Sequence, residues 1–148
     1  MRKLIFGFIL FISISGYCQQ LSLGDQLPEV NLELPGNKGE ILNASKLKGK
    51  LVLLDFWATY CSPCVKGLSH LESLQKEFGD EVLVIAVSHD SKERLERFLS
   101  KKSYDFTFAL DNERLNNLFP HRSIPHSILI DDLGKIIAIT SPENITEE

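Results

Sequence analysis

Two cysteines, Cys61 and Cys64, stand three positions apart, after an apolar run over residues 51–57 and before a helical pattern. Residues three apart share one face of a helix, so the two sulfurs can meet at its first turn. A disulfide requires closely approaching β-carbons, and so short a ring gains little from loop entropy. The pair is therefore a poor structural staple and is better suited to carrying electrons reversibly.

The expected position of Cys61 at the start of a helix favours its thiolate. Unpaired backbone N–H groups and the helix dipole stabilise negative charge there, and the thiolate is the species that attacks a disulfide. Cys64 lies one turn deeper, so we expect it to be more buried and to act as the resolving thiol. Pro63 suits the first turn, where its missing N–H costs nothing. We predict that Trp57 and Tyr60 form an apolar rim on which a substrate protein rests.

Zinc binding and haem attachment are the alternatives for such a cysteine pair. Zinc normally needs a second pair of Cys or His ligands, and the histidines form no standard ligand pair with the cysteines. A c-type haem needs His directly after the second cysteine, where Val65 stands. We therefore predict no metal, and no cofactor beyond the redox-active disulfide Cys61–Cys64.

Length and composition indicate one ordinary globular domain. The chain has 148 residues, of which 43% are hydrophobic and 24% charged. Its formal charge of −4 includes no block of like charges. Because phosphate binding requires clustered Lys and Arg, a nucleic-acid partner is excluded. We expect a monomer.

Residues 1–18 have the pattern of an export signal. Arg2 and Lys3 precede an apolar run over residues 4–14, and small and polar residues follow. That run is too short to span a bilayer comfortably. We predict cleavage before a mature domain of residues 19–148 in the periplasm or cell envelope, where disulfides persist. Lipidation of Cys18, disfavoured by Tyr17 before it, and an uncleaved interfacial anchor stay open, and only these would bring the chain to a membrane.

The remaining patterns predict an α/β domain. Strands alternate with helices in the order β-α-β-α-β-α-β-β, which predicts a central sheet with parallel pairs and a final antiparallel hairpin. An N-terminal hairpin precedes them. The predicted strands are 30–34, 40–42, 51–57, 82–87, 106–110, 127–130 and 135–140, and the predicted helices are 43–47, 62–78, one capped by Ser91, and 112–119. Residues 141–148 read as the opening of a helix that does not continue, so we expect a missing C-terminal helix or a fragment of a longer protein.

Several segments resemble the thioredoxin superfamily, and more narrowly its exported TlpA/ResA-like thiol-disulfide oxidoreductases. The similarity runs through most of the predicted mature chain. It is carried by the entry segment 24–28, the segment 47–59 with its Phe-Trp-Ala lead, the Cys61-Ser62-Pro63-Cys64 motif, and Ile124-Pro125 before a strand. The resemblance implies a thioredoxin-like fold and a protein-disulfide reductase.

The resemblance also implies roles for residues distant from the cysteines. Pro125 falls where the family has a cis-proline beside the disulfide, and the backbone of Ile124 would then face the sulfurs and pair with an extended substrate segment. An ordinary trans-proline opening a strand is the alternative. His126 departs from the small hydroxyl residue usual there, and it either tunes Cys61 electrostatically or is a half-exposed side chain without a role.

Asp55 interrupts the apolar run and is the third candidate catalytic residue. A carboxylate inside a buried strand is costly, and its pKa is expected to rise. Thioredoxins have an Asp at the matching place, which implies that Asp55 assists proton transfer to the buried cysteine. An Asp at a strand edge, hydrogen-bonded to backbone, is the alternative.

Taken together, the residues predict an exported reductase that acts through a mixed disulfide on protein disulfides and is recharged by a membrane thiol reductant. A peroxiredoxin-like peroxidase is the rival enzyme, but it requires Thr three residues before its reactive Cys, where Ala58 stands. A non-catalytic thioredoxin-like adaptor, or a fragment of a larger envelope protein, is the other alternative.

Overall fold

The apolar run at residues 51–57 is an inner strand of a seven-stranded sheet in the computed structural model of the chain, which describes residues 20–35, 40–111 and 113–140. Two short 3₁₀ turns, Ala44–Lys46 and Gly79–Glu81, also occur. The strands are β1 Asn31–Glu33, β2 Ile41–Asn43, β3 Leu51–Trp57, β4 Val82–Ser88, β5 Thr107–Leu110, β6 His126–Ile130 and β7 Ile136–Thr140, and the helices are α1 Ser62–Phe78, α2 Lys92–Leu99 and α3 Arg114–Leu118.

The sheet order is β2-β1-β5-β4-β3-β6-β7. Strands β3, β4 and β5 pair in parallel, whereas β6 pairs antiparallel with β3, and β7 with β6. The N-terminal hairpin β1–β2 adds to the sheet through an antiparallel contact with β5. This arrangement confirms the predicted α/β fold, its parallel pairs and its final hairpin.

The two faces of β3 contribute to two different apolar clusters, because successive side chains of a strand point to opposite faces. Leu54 and Phe56 belong to the cluster that contains Leu115 of α3. Leu53 and Trp57 belong to the cluster that contains α1 and both cysteines. Asp55 alternates with Leu54 and Phe56 and therefore lies on the α1 face, together with the cysteines.

The predicted and observed limits of α1 coincide. Cys61 is its N-cap, and Gly79 ends it with a positive φ of 52°. The predicted helix over 112–119 is shorter in the structure, because Glu113 adopts a left-handed conformation at its start and Phe119 leaves the helical region before Pro120. Most strand ends differ by a residue or two from the prediction, as element boundaries commonly do.

Several predictions concern residues outside the described ranges. These are the export signal at 1–18, the lipidation of Cys18, and the C-terminal segment 141–148. No helix in the described part of the chain combines the length and apolar character that crossing a bilayer requires.

Candidate active site

The end of β3 leads directly to the head of α1, and this connection positions the cysteines. Cys61 has an extended backbone, with φ −87° and ψ 97°, and Ser62 and Pro63 begin the helix. The Cys61 Sγ accepts a hydrogen bond of 3.3 Å from the backbone N–H of Cys64. The sulfur of Cys61 thus occupies the N-cap acceptor position, where helix N–H groups stabilise a thiolate.

Cys61 and Cys64 form a disulfide, with an S–S distance of 2.02 Å and a Cα–Cα distance of 5.2 Å. Cys61 is 9% exposed and Cys64 is 2% exposed, so the second cysteine is the more buried of the two, as predicted. A substrate can therefore approach Cys61, whereas Cys64 is reached from within the protein. This asymmetry suits an attacking thiol followed by a resolving thiol.

Asp90 holds the loop that precedes Cys61. Its carboxylate accepts hydrogen bonds from the Thr59 backbone N–H at 2.6 Å and from the Thr59 hydroxyl at 3.0 Å. The Ser88 hydroxyl donates a third, at 3.0 Å. Asp90 is buried, so these bonds compensate the loss of solvent around its charge. The sequence analysis missed this residue, although polar residues after β4 were a usable signal because carboxyl ends of adjacent parallel strands meet at one sheet edge.

The Ile124–Pro125 peptide bond is cis, as the family resemblance implied. The Ile124 carbonyl oxygen lies 3.8 Å from the Cys61 Sγ, so this backbone segment faces the reactive sulfur. Both residues are partly exposed. An extended polypeptide lying beside Cys61 would therefore run alongside the Ile124 backbone, in the manner of strand addition.

Asp55 is 1% exposed on an inner strand between β4 and β6. Its Oδ1 accepts a hydrogen bond of 2.8 Å from the Ser127 hydroxyl. The strand-edge alternative is therefore wrong, since Asp55 lies in the interior of the sheet. Strand alternation places Asp55 on the α1 face, the same side of the sheet as the cysteines.

The predicted apolar rim requires a correction at Trp57. This side chain is 0% exposed and packs between the rings of Phe98 and Phe108, with centroid distances of 5.2 and 5.6 Å. It cannot touch a substrate, because the cluster on the α1 face encloses it, and it supports the motif from below. Tyr60 is 69% exposed and Pro63 is also exposed, so both remain available at the surface beside the disulfide.

Three histidines gather around Phe56 at the same end of the sheet. His121 stacks on His126 with ring centroids 4.7 Å apart, and its Nε2 lies 3.2 Å from the Nε2 of His89. The centroid of the Phe56 ring lies within 5.9 Å of all three imidazole centroids. A role near Cys61 was predicted for His126 but not for the other two histidines. They come from separate loops, and only the fold brings them together.

A hydrogen-bond partner assigns one nitrogen of this cluster. The Phe119 carbonyl oxygen only accepts, so the His121 Nδ1–H donates to it across 2.8 Å. The His121 Nε2 and the His89 Nε2 share a hydrogen bond of 3.2 Å, so one of them carries the proton that joins them. The remaining nitrogen of His89 faces the Asp111 carboxylate at 4.0 Å. The other carboxylate oxygen of Asp111 is buried without a hydrogen-bond partner among the described residues.

Burial controls the protonation of this cluster. Desolvation lowers the pKa of His89 below its usual value near 6.5, although the Asp111 charge acts against it. Desolvation, followed by the charge of His121, also lowers the pKa of His126. Desolvation raises the pKa of Asp111, opposed by His89 and by backbone hydrogen bonds. Although His89 and Asp111 lie within ion-pair distance, each shift disfavours the charged form, so His89 is neutral at pH 7.

An open cleft of about 260 Å³ lies beside the disulfide. It is lined by Tyr60, His89, Asn116, His121, Arg122, Ser123 and Ile124. Tyr60 precedes Cys61 in the chain and Ile124 touches its sulfur, so the cleft continues from the reactive position. Within the described residues, no group of three or more His, Cys, Asp and Glu side chains has the arrangement of a metal site.

Comparison with known proteins agrees with this site. The AhpC/TSA family profile matches residues 23–139. The chain is 37% identical over 118 residues to thioredoxin-like protein YneN of Bacillus subtilis (strain 168), covering 76% of this chain and 68% of the relative. It is 27% identical over 139 residues to thiol-disulfide oxidoreductase ResA of the same organism, covering 91% and 76%.

Solved structures with a similar fold include two redox proteins. The thioredoxin domain of a thiol-disulfide oxidoreductase from Bacteroides vulgatus superposes with a TM-score of 0.71 at 28% identity, covering 81% of this chain and 89% of that one. The pneumococcal exposed lipoprotein thioredoxin Etrx1 from Streptococcus pneumoniae strain TIGR4 superposes with a TM-score of 0.69 at 26% identity, covering 81% and 92%.

Proposed function

Because the chain belongs to the AhpC/TSA family and is a thiol-disulfide oxidoreductase with a thioredoxin-like fold, we propose that it reduces disulfides of proteins in the cell envelope. One observation carries the proposal: Cys61 is the more exposed of the two cysteines, at 9% against 2%, and its sulfur lies beside the Ile124 backbone. Tyr60, Pro63, Ile124 and Pro125 form the substrate-contacting surface.

The reaction begins with the reduced pair. The Cys61 thiolate attacks a substrate disulfide, forms a Cys61–substrate bond and releases the other substrate sulfur, which takes up a proton. Cys64 loses its proton to Asp55 and attacks Cys61, which reforms the Cys61–Cys64 bond and releases the second substrate thiol. Two electrons pass to the substrate, and an external dithiol, proposed to be a membrane thiol reductant, returns two electrons and two protons to the pair.

An insulin-reduction assay with dithiothreitol as electron donor tests the catalytic role of the cysteines. We expect the wild-type chain to accelerate reduction and Cys61→Ser to abolish the acceleration, because the attacking sulfur is gone. Equal activity of the two proteins would instead favour the adaptor alternative, in which the disulfide stays closed.

Trapping with Cys64→Ala identifies the substrates. In this variant Cys61 still attacks, but no thiol resolves the mixed disulfide, so substrate proteins should accumulate on Cys61 in non-reducing gels. The double variant Cys61→Ser/Cys64→Ala is the matched control and should trap nothing. Absence of adducts in the single variant would contradict the mixed-disulfide mechanism.

The proposed location is supported by residues 1–18 and by the similarity to the pneumococcal exposed lipoprotein thioredoxin. We expect the mature chain to begin near Gln19, which mass spectrometry of the N-terminus measures. We also expect it in the envelope fraction when the cells are fractionated. Recovery of an intact Met1 terminus in the cytoplasm would contradict export.

A peroxidase is the competing enzyme class. Ala58, three residues before Cys61, is buried and offers no hydroxyl to a peroxide. The geometry therefore favours disulfide substrates over peroxides.

A further inference from the structure

The cleft beside the disulfide is lined mostly by polar side chains, of which the Arg122 guanidinium only donates hydrogen bonds. Arg122, Asn116, Ser123 and Tyr60 place a guanidinium, an amide and two hydroxyls on its walls. No carboxylate is among its lining residues in the described part of the chain. Asp111 lies behind His89, and its side chain is 3% exposed, so its carboxylate is withdrawn from the cleft surface.

Arg122 is the residue that gives this cleft its charge. Its side chain is exposed and forms no ion pair or hydrogen bond with the described residues. Most acidic side chains near this end of the sheet are engaged elsewhere, since Asp90 binds Thr59 and Asp55 binds Ser127. A guanidinium with no partner among the described residues, beside an amide and hydroxyls that can also donate, matches a carboxylate in charge and in hydrogen-bond geometry.

The cleft is also correctly placed for a substrate. The Ile124 carbonyl oxygen lies 3.8 Å from the Cys61 Sγ, and Arg122 is two residues away in the same loop. A substrate sulfur bonded to Cys61 would therefore bring its neighbouring groups to Ile124 and then to Arg122. The volume of about 260 Å³ admits one or two side chains.

We propose that this cleft is a subsite for a carboxylate group carried close to the substrate disulfide, with Arg122 as its charged anchor. The proposal rests on the proposed reductase function and names the substrate class that the same site prefers. Two sources share this chemistry: an acidic residue next to the reacting cysteine of a protein, and a small peptide-like disulfide with carboxylates of its own.

Three disulfide-bonded peptides of otherwise identical sequence test the proposal. They carry Asp, Asn or Lys pairs beside one cysteine, and kcat/KM is measured for each with the wild-type chain at low ionic strength. We expect the Asp peptide to be reduced about fivefold faster than the Asn peptide, the size of effect that one partly exposed charge pair gives. The preference should shrink with added salt.

Variants of Arg122 assign the preference to one side chain. Arg122→Gln should lower the Asp-to-Asn ratio of kcat/KM toward one, and Arg122→Glu should reverse the preference in favour of the Lys peptide. Lys48→Gln is the matched control, because it removes one positive charge from an exposed site before β3, about 20 Å from the motif end of that strand. It should leave the ratio within twofold of wild type.

Small disulfides separate the two sources. Oxidised glutathione carries carboxylates and bis(2-hydroxyethyl) disulfide does not. A preference for oxidised glutathione that Arg122→Glu removes would assign the subsite to small disulfides as well, whereas a preference confined to peptides would assign it to acidic protein segments. Equal rates for all three peptides, or an unchanged ratio in Arg122→Glu, would overturn the subsite alone. Failure to reduce any peptide would overturn the proposed function and the subsite with it.

Discussion

At the scale of single residues, the two sulfurs are chemically identical and only their surroundings give them different roles. Cys61 receives an N–H at the head of α1 and faces the Ile124 carbonyl, while Cys64 is enclosed. The spacing of the cysteines was enough to predict this asymmetry, because a helix start is a local feature. The cis bond before Pro125 came only from the family resemblance.

Asp55→Asn tests the proposed proton acceptor at this scale. The substitution keeps the shape of the side chain but removes its basic carboxylate, so resolution of the mixed disulfide by Cys64 should slow at least tenfold at pH 7. The measurement is single-turnover decay of a Cys61–peptide adduct, formed on the reduced protein. Ser127→Ala is the matched control, since it removes one hydrogen bond to Asp55 and keeps the carboxylate. An Asp55→Asn variant that resolves the adduct at the wild-type rate would contradict the role.

The contacts between residues that only the fold brings together were not predictable from the sequence. His89, His121 and Asp111 follow different elements, and none belongs to a spaced motif. Their contacts arise because β4, β5 and the loop before β6 end at the same edge of the sheet. The prediction for Trp57 was wrong for the opposite reason. Its position beside the motif indicated a surface role, whereas the alternation of side chains along β3 directs this ring into the core.

At the scale of elements, the type and order of the helices and strands were predicted well because the apolar residues recur with clear periods. The repeat of apolar residues along 62–78 gave the limits of α1, and the unbroken run at 51–57 gave an inner strand. The length of α3 was overestimated because its two ends depend on the local backbone at Glu113 and Phe119. The hydrogen bonds between Thr59 and the Asp90 carboxylate matter most for the site. They were not evident from either segment alone.

Asp90→Ala tests that connection. Thr59 N–H and the Ser88 hydroxyl lose their acceptor, so the free energy of unfolding should fall by about 2–3 kcal/mol, as expected for hydrogen bonds to a charged group. Insulin reduction should also slow several-fold, because the loop before Cys61 is released. Urea unfolding and the insulin assay measure the two effects.

Arg94→Gln serves as control for the Asp90 experiment. Arg94 forms an ion pair with the buried Asp90 carboxylate at 3.6 Å, and because its own side chain is exposed to screening solvent we expect this pair to contribute about 1 kcal/mol or less. If Arg94→Gln were as destabilising as Asp90→Ala, the hydrogen bonds to the loop would not be the cause.

At the scale of the whole molecule, one sheet separates two apolar clusters and collects every candidate site residue at one end. The order of helices and strands predicted this topology, because parallel crossovers leave few alternatives. The place of the N-terminal hairpin in the sheet, beside β5, was not predictable. Its strands have only three residues each and show little alternation of apolar and polar residues. The histidine cluster is a property of this scale too, and its protonation is coupled to the stability of the fold.

The dependence of stability on pH measures that coupling. Because burial lowers the pKa of His89 and of His126, the unfolded chain binds more protons than the folded one below pH 6.5, the usual value for His. Their full contribution is present at pH 7.5, where both are neutral, and acidification toward pH 5.5 must destabilise the fold. The raised pKa of Asp111 acts with the opposite sign, since acidification favours the folded chain through this carboxyl, and this contribution is present in the wild type as well. The double variant His89→Gln/His126→Gln should therefore lose roughly 1–3 °C less in melting temperature between pH 7.5 and 5.5 than wild type does. A double variant whose melting temperature falls as steeply as that of wild type would show that the partial desolvation of these imidazoles does not couple their protonation to folding.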